Sequence, residues 1–241
     1  MDVLTVIEDM SHLLAINVLL VKILRTGSVS GLSGISQLFY AIVYSTRYLD
    51  IFIYLYSVYN ILMKCIYFNL TYLTVFLIFK THKDTYDRKN DPKKSFFILI
   101  FCLVLALLVN EHLAFTEVMR PFSFYLEAVA MVPQLWMVNK TGECKPVTFH
   151  YIFCLCVYKA FFLLNRYFDV LRFDIALWSG IVQMLTYFAF FYMYATKVIR
   201  GNKFRGYLQL EQNDLLETRN KVAVVSSTVG DKPQGKVDVV V

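Results

Sequence analysis

Residues 35–79 read ISQLFYAIVYSTRYLDIFIYLYSVYNILMKCIYFNLTYLTVFLIF, and their only charged side chains are Arg47, Asp50 and Lys64. A bilayer core is crossed by about 20 apolar residues in helical form, so this stretch supplies two crossings, over 35–55 and 57–79. Almost nothing separates them, which makes them an antiparallel hairpin. Outward from this hairpin, the segments 4–24, 95–113, 115–137, 147–168 and 173–198 have the same character. The expected fold is an all-α membrane protein with seven transmembrane helices over residues 1–200.

Composition agrees. Of 241 residues, 58% are hydrophobic and 17% charged, with 21 Phe and 17 Tyr; mean hydropathy is +0.53. Soluble domains carry roughly 25% charged residues, and this chain has too little polar surface to coat a soluble sphere. That argues against a soluble enzyme, a nucleic-acid-binding domain or a disordered protein. The net charge of +6 and pI near 9.0 come from basic residues at span ends, not from a basic face. The five cysteines, Cys65, Cys102, Cys144, Cys154 and Cys156, lie mostly in apolar runs without CxxC or metal spacing; at least four read as small buried hydrophobes. No cofactor or metal is expected. The opening MDVLTVIEDM carries acids where a cleaved leader needs a basic region.

Orientation follows from the positive-inside rule. Lys22 and Arg25 follow the first span, six basic residues from Lys80 to Lys94 lie between the third and fourth, Lys140 and Lys145 follow the fifth, and Lys197, Arg200, Lys203 and Arg205 follow the seventh. The opposite side has only Arg166 and Arg172. Fourteen against two predicts a luminal N-terminus and a cytosolic C-terminus. The sequons at Asn69 and Asn139 then fall in a span and on the cytosolic side, so neither is expected to be modified. Residues 201–241 are polar and read as a mostly disordered cytosolic tail, with a short helix near 208–221.

An odd number of spans suits two parallel triplets joined by an inverting fourth span. Ser36-Gln37 in the second span and Pro133-Gln134 in the fifth echo one another and resemble the pattern of proline-glutamine-loop (PQ-loop) and SWEET-type sugar-transporter proteins. Charged groups inside spans cost on the order of 2.5–3.5 kcal/mol each and face a cavity or a partner. Here they are His12, Arg47, Asp50, Lys64, Glu117, Arg120, Glu127 and Lys159. Arg47/Asp50 and Glu117/Arg120 are each three apart, on one helix face. Local ion pairs that bolt helices together are one reading; a polar cavity open to the lumen is the other. No nucleophile elbow, phosphate loop or HExxH accompanies them, so no enzyme is expected.

The segments Ser11-His12-Leu13-Leu14-Ala15, Ser33-Gly34-Ile35-Ser36-Gln37, Thr46-Arg47-Tyr48-Leu49-Asp50, Tyr125-Leu126-Glu127, Pro133-Gln134-Leu135 and Lys140-Thr141-Gly142-Glu143 resemble the ER-lumen protein retaining (KDEL or HDEL) receptor family, over about residues 8–203. The resemblance implies a receptor of endoplasmic reticulum and Golgi membranes. Such a receptor captures the C-terminal Lys/His-Asp-Glu-Leu signal of escaped luminal proteins at mildly acidic pH and returns them by retrograde vesicles. It implies that Arg47 grips the terminal carboxylate with Tyr48 beside it, and that Asp50 and Glu117 receive the basic residue of the signal. Arg120, Tyr158, Lys159, Phe162, Asn165 and Arg166 join the ligand site. His12, Glu127 and Tyr158 form the proton-sensing group, and Arg200, Lys203 and Arg205 supply the cluster that engages the COPI coat. The terminal Val239-Val240-Val241 resembles an export signal for COPII.

The chain also departs from the family pattern. Thr5 and Lys159 replace arginines, Phe162 a tyrosine and Arg120 a tryptophan; the luminal loop after Asn165 is shorter, and Ala189 replaces an acid tied to retrograde transport. A divergent retention receptor is the first expectation. A paralogue that has lost retrieval, and a small-solute carrier on the same fold, are the alternatives.

Overall fold

The computed structural model describes residues 3–49, 57–109, 115–142, 144, 146–168 and 174–199, and the described residues form no strand. Among the described residues eight α-helices follow in order: α1 (Val3–Thr26), α2 (Gly34–Arg47), α3 (Val58–Phe76), α4 (Phe96–Val109), α5 (Phe115–Val129), α6 (Val132–Thr141), α7 (Pro146–Phe168) and α8 (Ile175–Met193). The helices lie in one compact unit, Met1–Val198. Asp50, Arg200, Lys203, Arg205 and the expected tail lie outside the described residues.

The described helices fall along the seven expected segments, the fifth divided in two, and residues 50–55 of the second lie outside the described residues. Val3–Thr26, Val58–Thr81, Thr148–Tyr167 and Ile175–Lys197 are long and apolar enough to cross a membrane, and Phe96–Val109 is a shorter apolar helix. The fifth span is two helices, because the backbone turns at Ala130–Met131 and Pro133 opens α6 in its first turn. A proline there needs no N–H and is pre-set for the helical φ. The α2 helix is short and polar for a span because it is enclosed by protein: Gly34–Gln37, Phe39–Ala41, Val43 and Tyr44 are all buried.

Pairings show why the chain makes two bundles. The α1 helix packs on α7 and α2 on α5; α2 meets α3 and α7 meets α8; α1 touches α3 and α5 touches α8. Exchanging α1, α2 and α3 with α5–α6, α7 and α8 maps each of these pairs onto another. The pairing is thus alike in two three-helix bundles, and α4, which lies on α5, joins them. The exchange matches the first span with the fifth, so Ser36-Gln37 and Pro133-Gln134 are not equivalent positions of the repeat. They touch instead: the Gln134 N–H donates to Ser36 Oγ at 3.1 Å, and Gln134 Oε1 accepts from the Ser33 N–H at 2.7 Å.

Local signals set the ends. Ser33 caps α2 by accepting from the Ser36 N–H, and Ser57 caps α3 by accepting from the Asn60 N–H. Gly142 ends α6 at φ 65°, in the left-handed region that glycine enters without steric cost. At Gly34 a side chain would meet the Phe79 ring 2.8 Å away, so glycine lets the following loop close on α2.

Large apolar side chains such as Phe97, Phe101, Leu108, Leu185 and Phe188 point outward, as a lipid-facing surface does. The cysteine expectation is corrected here: only Cys102 is buried, Cys144, Cys154 and Cys156 are half-buried, and Cys65 faces outward. Against lipid the outer face is as apolar as the interior, so a cysteine gains little from pointing inward.

The basic span ends gather at one end of the bundle. The Val29 N–H donates to Thr85, Ser33 Oγ to Asp91, Lys140 Nζ to the Lys89 carbonyl and Lys197 Nζ to Asn139.

Candidate functional site

At the other end, polar side chains are presented by four helices. Arg47 is the last residue of α2, and its guanidinium reaches α5. Its Nη2 lies 2.6 Å from Glu127 Oε2, its Nε donates to Ser123 Oγ at 3.2 Å, and its plane sits 4.5 Å from the Phe124 ring centroid. Ser123 and Glu127 are four apart, on one face of α5. The Ser123 hydroxyl in turn donates to the Arg120 carbonyl at 2.7 Å, which aims its oxygen at the arginine.

From α7, Lys159 Nζ donates to Glu127 Oε1 at 2.8 Å and lies 4.3 Å from the Phe162 ring centroid. One carboxylate thus holds two cations, and the trio keeps a net positive charge. Lys159 and Glu127 are almost completely enclosed, whereas 19% of the Arg47 side chain remains open. Two charge-assisted contacts to Glu127 and the hydrogen bond from Arg47 Nε to Ser123 offset the loss of water around these charges.

The open side of Arg47 faces a cavity of about 300 Å³ between the end of α2 and the starts of α5 and α8. Its walls include Thr46, Arg47, Glu117, Arg120, Phe124 and Asp174. Glu117 and Arg120 line the same cavity. Pro121, also in the wall, has no N–H to offer the Glu117 carbonyl four residues back. At the rim Arg166 donates to Asp174 at 2.5 Å.

His12 is buried beneath this cluster. Its Nε2 is 2.7 Å from the Tyr44 hydroxyl, its ring stacks on Tyr158 at 4.2 Å, and it lies 4.6 Å from the Tyr67 ring. Tyr158 adjoins Lys159, so imidazole and carboxylate are linked through one turn of α7. Below them polar contacts continue along α2: Gln37 to Tyr151 at 3.1 Å and Tyr40 to Tyr187 at 3.4 Å.

The structure therefore brings together Arg47, Glu117 and Arg120 on the cavity wall, and His12, Tyr158, Lys159 and Glu127 in the enclosed layer behind it, with half-buried Phe162 against Lys159. Tyr48 stacks on Tyr44. Asn165 is not brought to this wall: its amide donates to Thr5 Oγ1 and Glu8 Oε2, each at 3.3 Å. Ala189 lies on the outward face of α8, remote in kind from the cavity wall. Sequence reading overlooked Glu8 and Asp9, treating them only as an acidic start, although two consecutive acids ahead of an apolar run are themselves a polar-site signal. Asp9 accepts from Tyr59 at 3.0 Å and from Tyr67 at 3.2 Å. Ser123, Phe124 and Asp174 carried no signal in sequence; their roles come from facing Arg47 or its cavity.

Among the described residues no cluster of His, Cys, Asp or Glu could hold a metal ion. The arrangement suits recognition of an anion: a planar guanidinium, held from behind and open in front, presents its donors to a carboxylate.

The profile of a family described as "ER lumen protein retaining receptor" matches residues 28–169. ER lumen protein-retaining receptor 2 of Danio rerio is 44% identical over 207 residues, covering 84% of this chain and 98% of the relative. The ER lumen protein-retaining receptor of Drosophila melanogaster is 43% identical over 207 residues, with the same two coverages. ER lumen protein-retaining receptor erd-2.1 of Caenorhabditis elegans is 46% identical over 199 residues, covering 81% of this chain and 93% of its own.

Proposed function

This chain belongs to the ER lumen protein-retaining receptor family, and from that premise we propose that it retains luminal proteins by binding their C-terminal signal. The observation that carries this reading is the posture of Arg47: paired behind with enclosed Glu127, open in front to a polar cavity. A peptide C-terminus brings a carboxylate, and a partly dehydrated guanidinium is the residue type that holds one with two parallel hydrogen bonds. The carboxylate enters from the cavity side and shares Arg47 with Glu127. The trio's spare positive charge is then neutralised.

The remaining walls sort the rest of the signal. Arg120 offers a second cation for an acidic side chain; Glu117, and Asp50 outside the described residues, offer acids for a basic one. Tyr48, Phe162, Asn165 and Arg166 complete the surroundings. A volume near 300 Å³ is at the low end of ligand pockets, so the terminal residues enter and the upstream chain leaves through the mouth. With Thr5 and Lys159 in place of arginines and Arg120 in place of a tryptophan, the cations stand in new places. The preferred tetrapeptide is shifted accordingly.

His12 supplies the pH dependence. Histidine is the side chain that ordinarily titrates between pH 5 and 8, and a proton on His12 forces its contacts with Tyr44 and Tyr158 to rearrange. Capture in the mildly acidic Golgi and release in the neutral endoplasmic reticulum follow from a bound state that carries one more proton. The receptor resides in the membranes of those organelles, with its N-terminus luminal and its basic end cytosolic. There the cluster Arg200, Lys203 and Arg205 engages the retrograde coat, COPI, and the terminal valines the forward coat, COPII. Because Ala189 lies away from the cavity, losing the acid there alters transport and leaves binding intact.

Purified receptor titrated with peptides ending in Lys-Asp-Glu-Leu, His-Asp-Glu-Leu and single-residue variants, at pH 5.5 and pH 7.4, tests this reading. Saturable binding that is tighter at pH 5.5 supports it. An absence of pH-dependent binding to any acidic peptide ending in Leu overturns it.

A further inference from the structure

The basic end of the bundle carries a second cavity, unconnected with the peptide site. It is an open cleft of about 1000 Å³ between the segment before α4 and the flank of α6, lined by Arg88, Lys89, Lys94, Ile98, Val132 and Trp136, with Asp91 and Pro92. Three features give it a chemistry. Arg88, Lys89 and Lys94 are exposed cations, and Lys140 joins them by donating to the Lys89 carbonyl at 3.4 Å. Among the described residues of the wall the acid is Asp91, and it is turned inward, where it accepts from Ser33 Oγ, the Ile35 N–H and the Tyr86 hydroxyl. Nearby Asp87 is engaged by Asn90. The other wall is apolar: Ile98 and Val132 line it, and the Trp136 side chain is 58% exposed. Tryptophan at the end of a membrane helix sits at headgroup level. Below the cleft Phe97 and Phe101 of α4 face outward.

Cations on one wall and an outward-facing apolar wall beside lipid match a phospholipid, with its headgroup among the cations and its acyl chains along α4 and α6. We propose that this cleft is a binding site for an anionic phospholipid of the surrounding leaflet. Basic residues at a membrane surface attract anionic lipid by about 1 kcal/mol each; a built cleft adds position to that attraction. The proposed orientation places the cleft in the cytosolic leaflet, the one rich in anionic lipid. A diffuse basic surface is the competing explanation, and it predicts that all cations at this end matter equally.

The test uses the full chain as Trp178→Phe, which leaves Trp136 as the remaining tryptophan. It is reconstituted in nanodiscs of phosphatidylcholine with a minor fraction of either bromine-labelled phosphatidylserine or bromine-labelled phosphatidylcholine. Both leaflets are then identical, so the result does not depend on orientation or on peptide binding. The expected result is an apparent affinity for the labelled phosphatidylserine about tenfold above that for the labelled phosphatidylcholine. Arg88→Ala/Lys89→Ala/Lys94→Ala brings the two lipids within about twofold, while Arg25→Ala/Lys80→Ala/Lys83→Ala, with the same charge loss at the same end, keeps the preference. Quenching by the labelled phosphatidylcholine in every variant shows that Trp136 still meets lipid. Equal quenching by both lipids in the starting protein overturns the proposal. So does a preference that survives the first triple variant or falls equally in both.

Discussion

Arg47 and Glu127 meet at 2.6 Å, the arginine open to a cavity and the glutamate enclosed behind it. That asymmetry makes the pair a holder for a third charge and separates it from a simple helix-to-helix bolt. Lys159 on the far side of the carboxylate leaves the trio one positive charge in excess. A visiting anion therefore finds a cation already oriented, and the ordering is done before it arrives.

Removing the guanidinium should weaken binding strongly and retain the fold. Truncating one partner of a dehydrated charge pair costs about 2–5 kcal/mol of affinity. Arg47→Ala should therefore weaken peptide binding by at least about thirtyfold. Arg47→Lys keeps the charge but loses the fork and the hydrogen bond to Ser123, and it should recover only part of the loss. Isothermal titration of both variants at pH 5.5 measures this.

The enclosed side of the trio should govern stability. Glu127→Gln leaves two cations facing each other without their carboxylate and should cost about 3–5 kcal/mol. Lys159→Met leaves Glu127 paired with Arg47 and should cost less. The double variant, Glu127→Gln with Lys159→Met, should be more stable than Glu127→Gln alone, because the uncompensated buried ammonium is gone. Thermal unfolding in detergent gives the order.

Replacing His12 should flatten the pH response. Linkage makes an affinity rise at low pH equivalent to proton uptake on binding. His12→Phe preserves the stack on Tyr158 and removes the titrating group. Its affinities at pH 5.5 and pH 7.4 should agree within about twofold, in contrast to a tenfold or greater ratio for the unmodified receptor.

The basic end should show an alkaline limit. Burial first, and then the hydrogen bond to Asp91, push the Tyr86 phenol above its ordinary value, so the folded chain keeps a proton that the unfolded chain releases above about pH 10. This contribution to stability is intact below that pH and is lost as the pH rises toward the folded value. Tyr86→Phe should remove that part of the alkaline loss. Asp91→Ala orphans the Ser33 hydroxyl and the Ile35 N–H as well, and should cost at least about 2 kcal/mol at neutral pH. Melting curves between pH 7 and pH 11 separate the two variants.

Much of the architecture was legible because lipid exposure leaves a strong mark on composition. The runs that became α1, α3, α7 and α8 needed little more than length and hydropathy. The break between α5 and α6 was visible only as Pro133, and its meaning depended on Gln134 finding Ser33 and Ser36 across the bundle. The Gln37 and Gln134 dipeptides looked like a repeat because sequence shows similarity and not contact; in space they belong to non-equivalent helices that touch.

Arg47, Glu127 and Lys159 stood out as costly charges, so their importance could be read directly. Their division into an open arginine and enclosed partners could not, since solvent access is set by packing among α2, α5 and α7. Glu8 and Asp91 escaped notice for a related reason. An acid near a span end looks solvated in sequence, and only the fold turns Asp91 toward three donors or brings Glu8 to Asn165.

The central claim is that Arg47 holds a peptide's terminal carboxylate, and the end group itself is the most direct probe. Two peptides with the same acidic sequence ending in Leu, one with a free C-terminus and one amidated, are titrated into the receptor at pH 5.5. The free acid should bind at least about thirtyfold more tightly, and Arg47→Ala should erase the difference. Equal binding of the two peptides to the unmodified receptor would contradict the account.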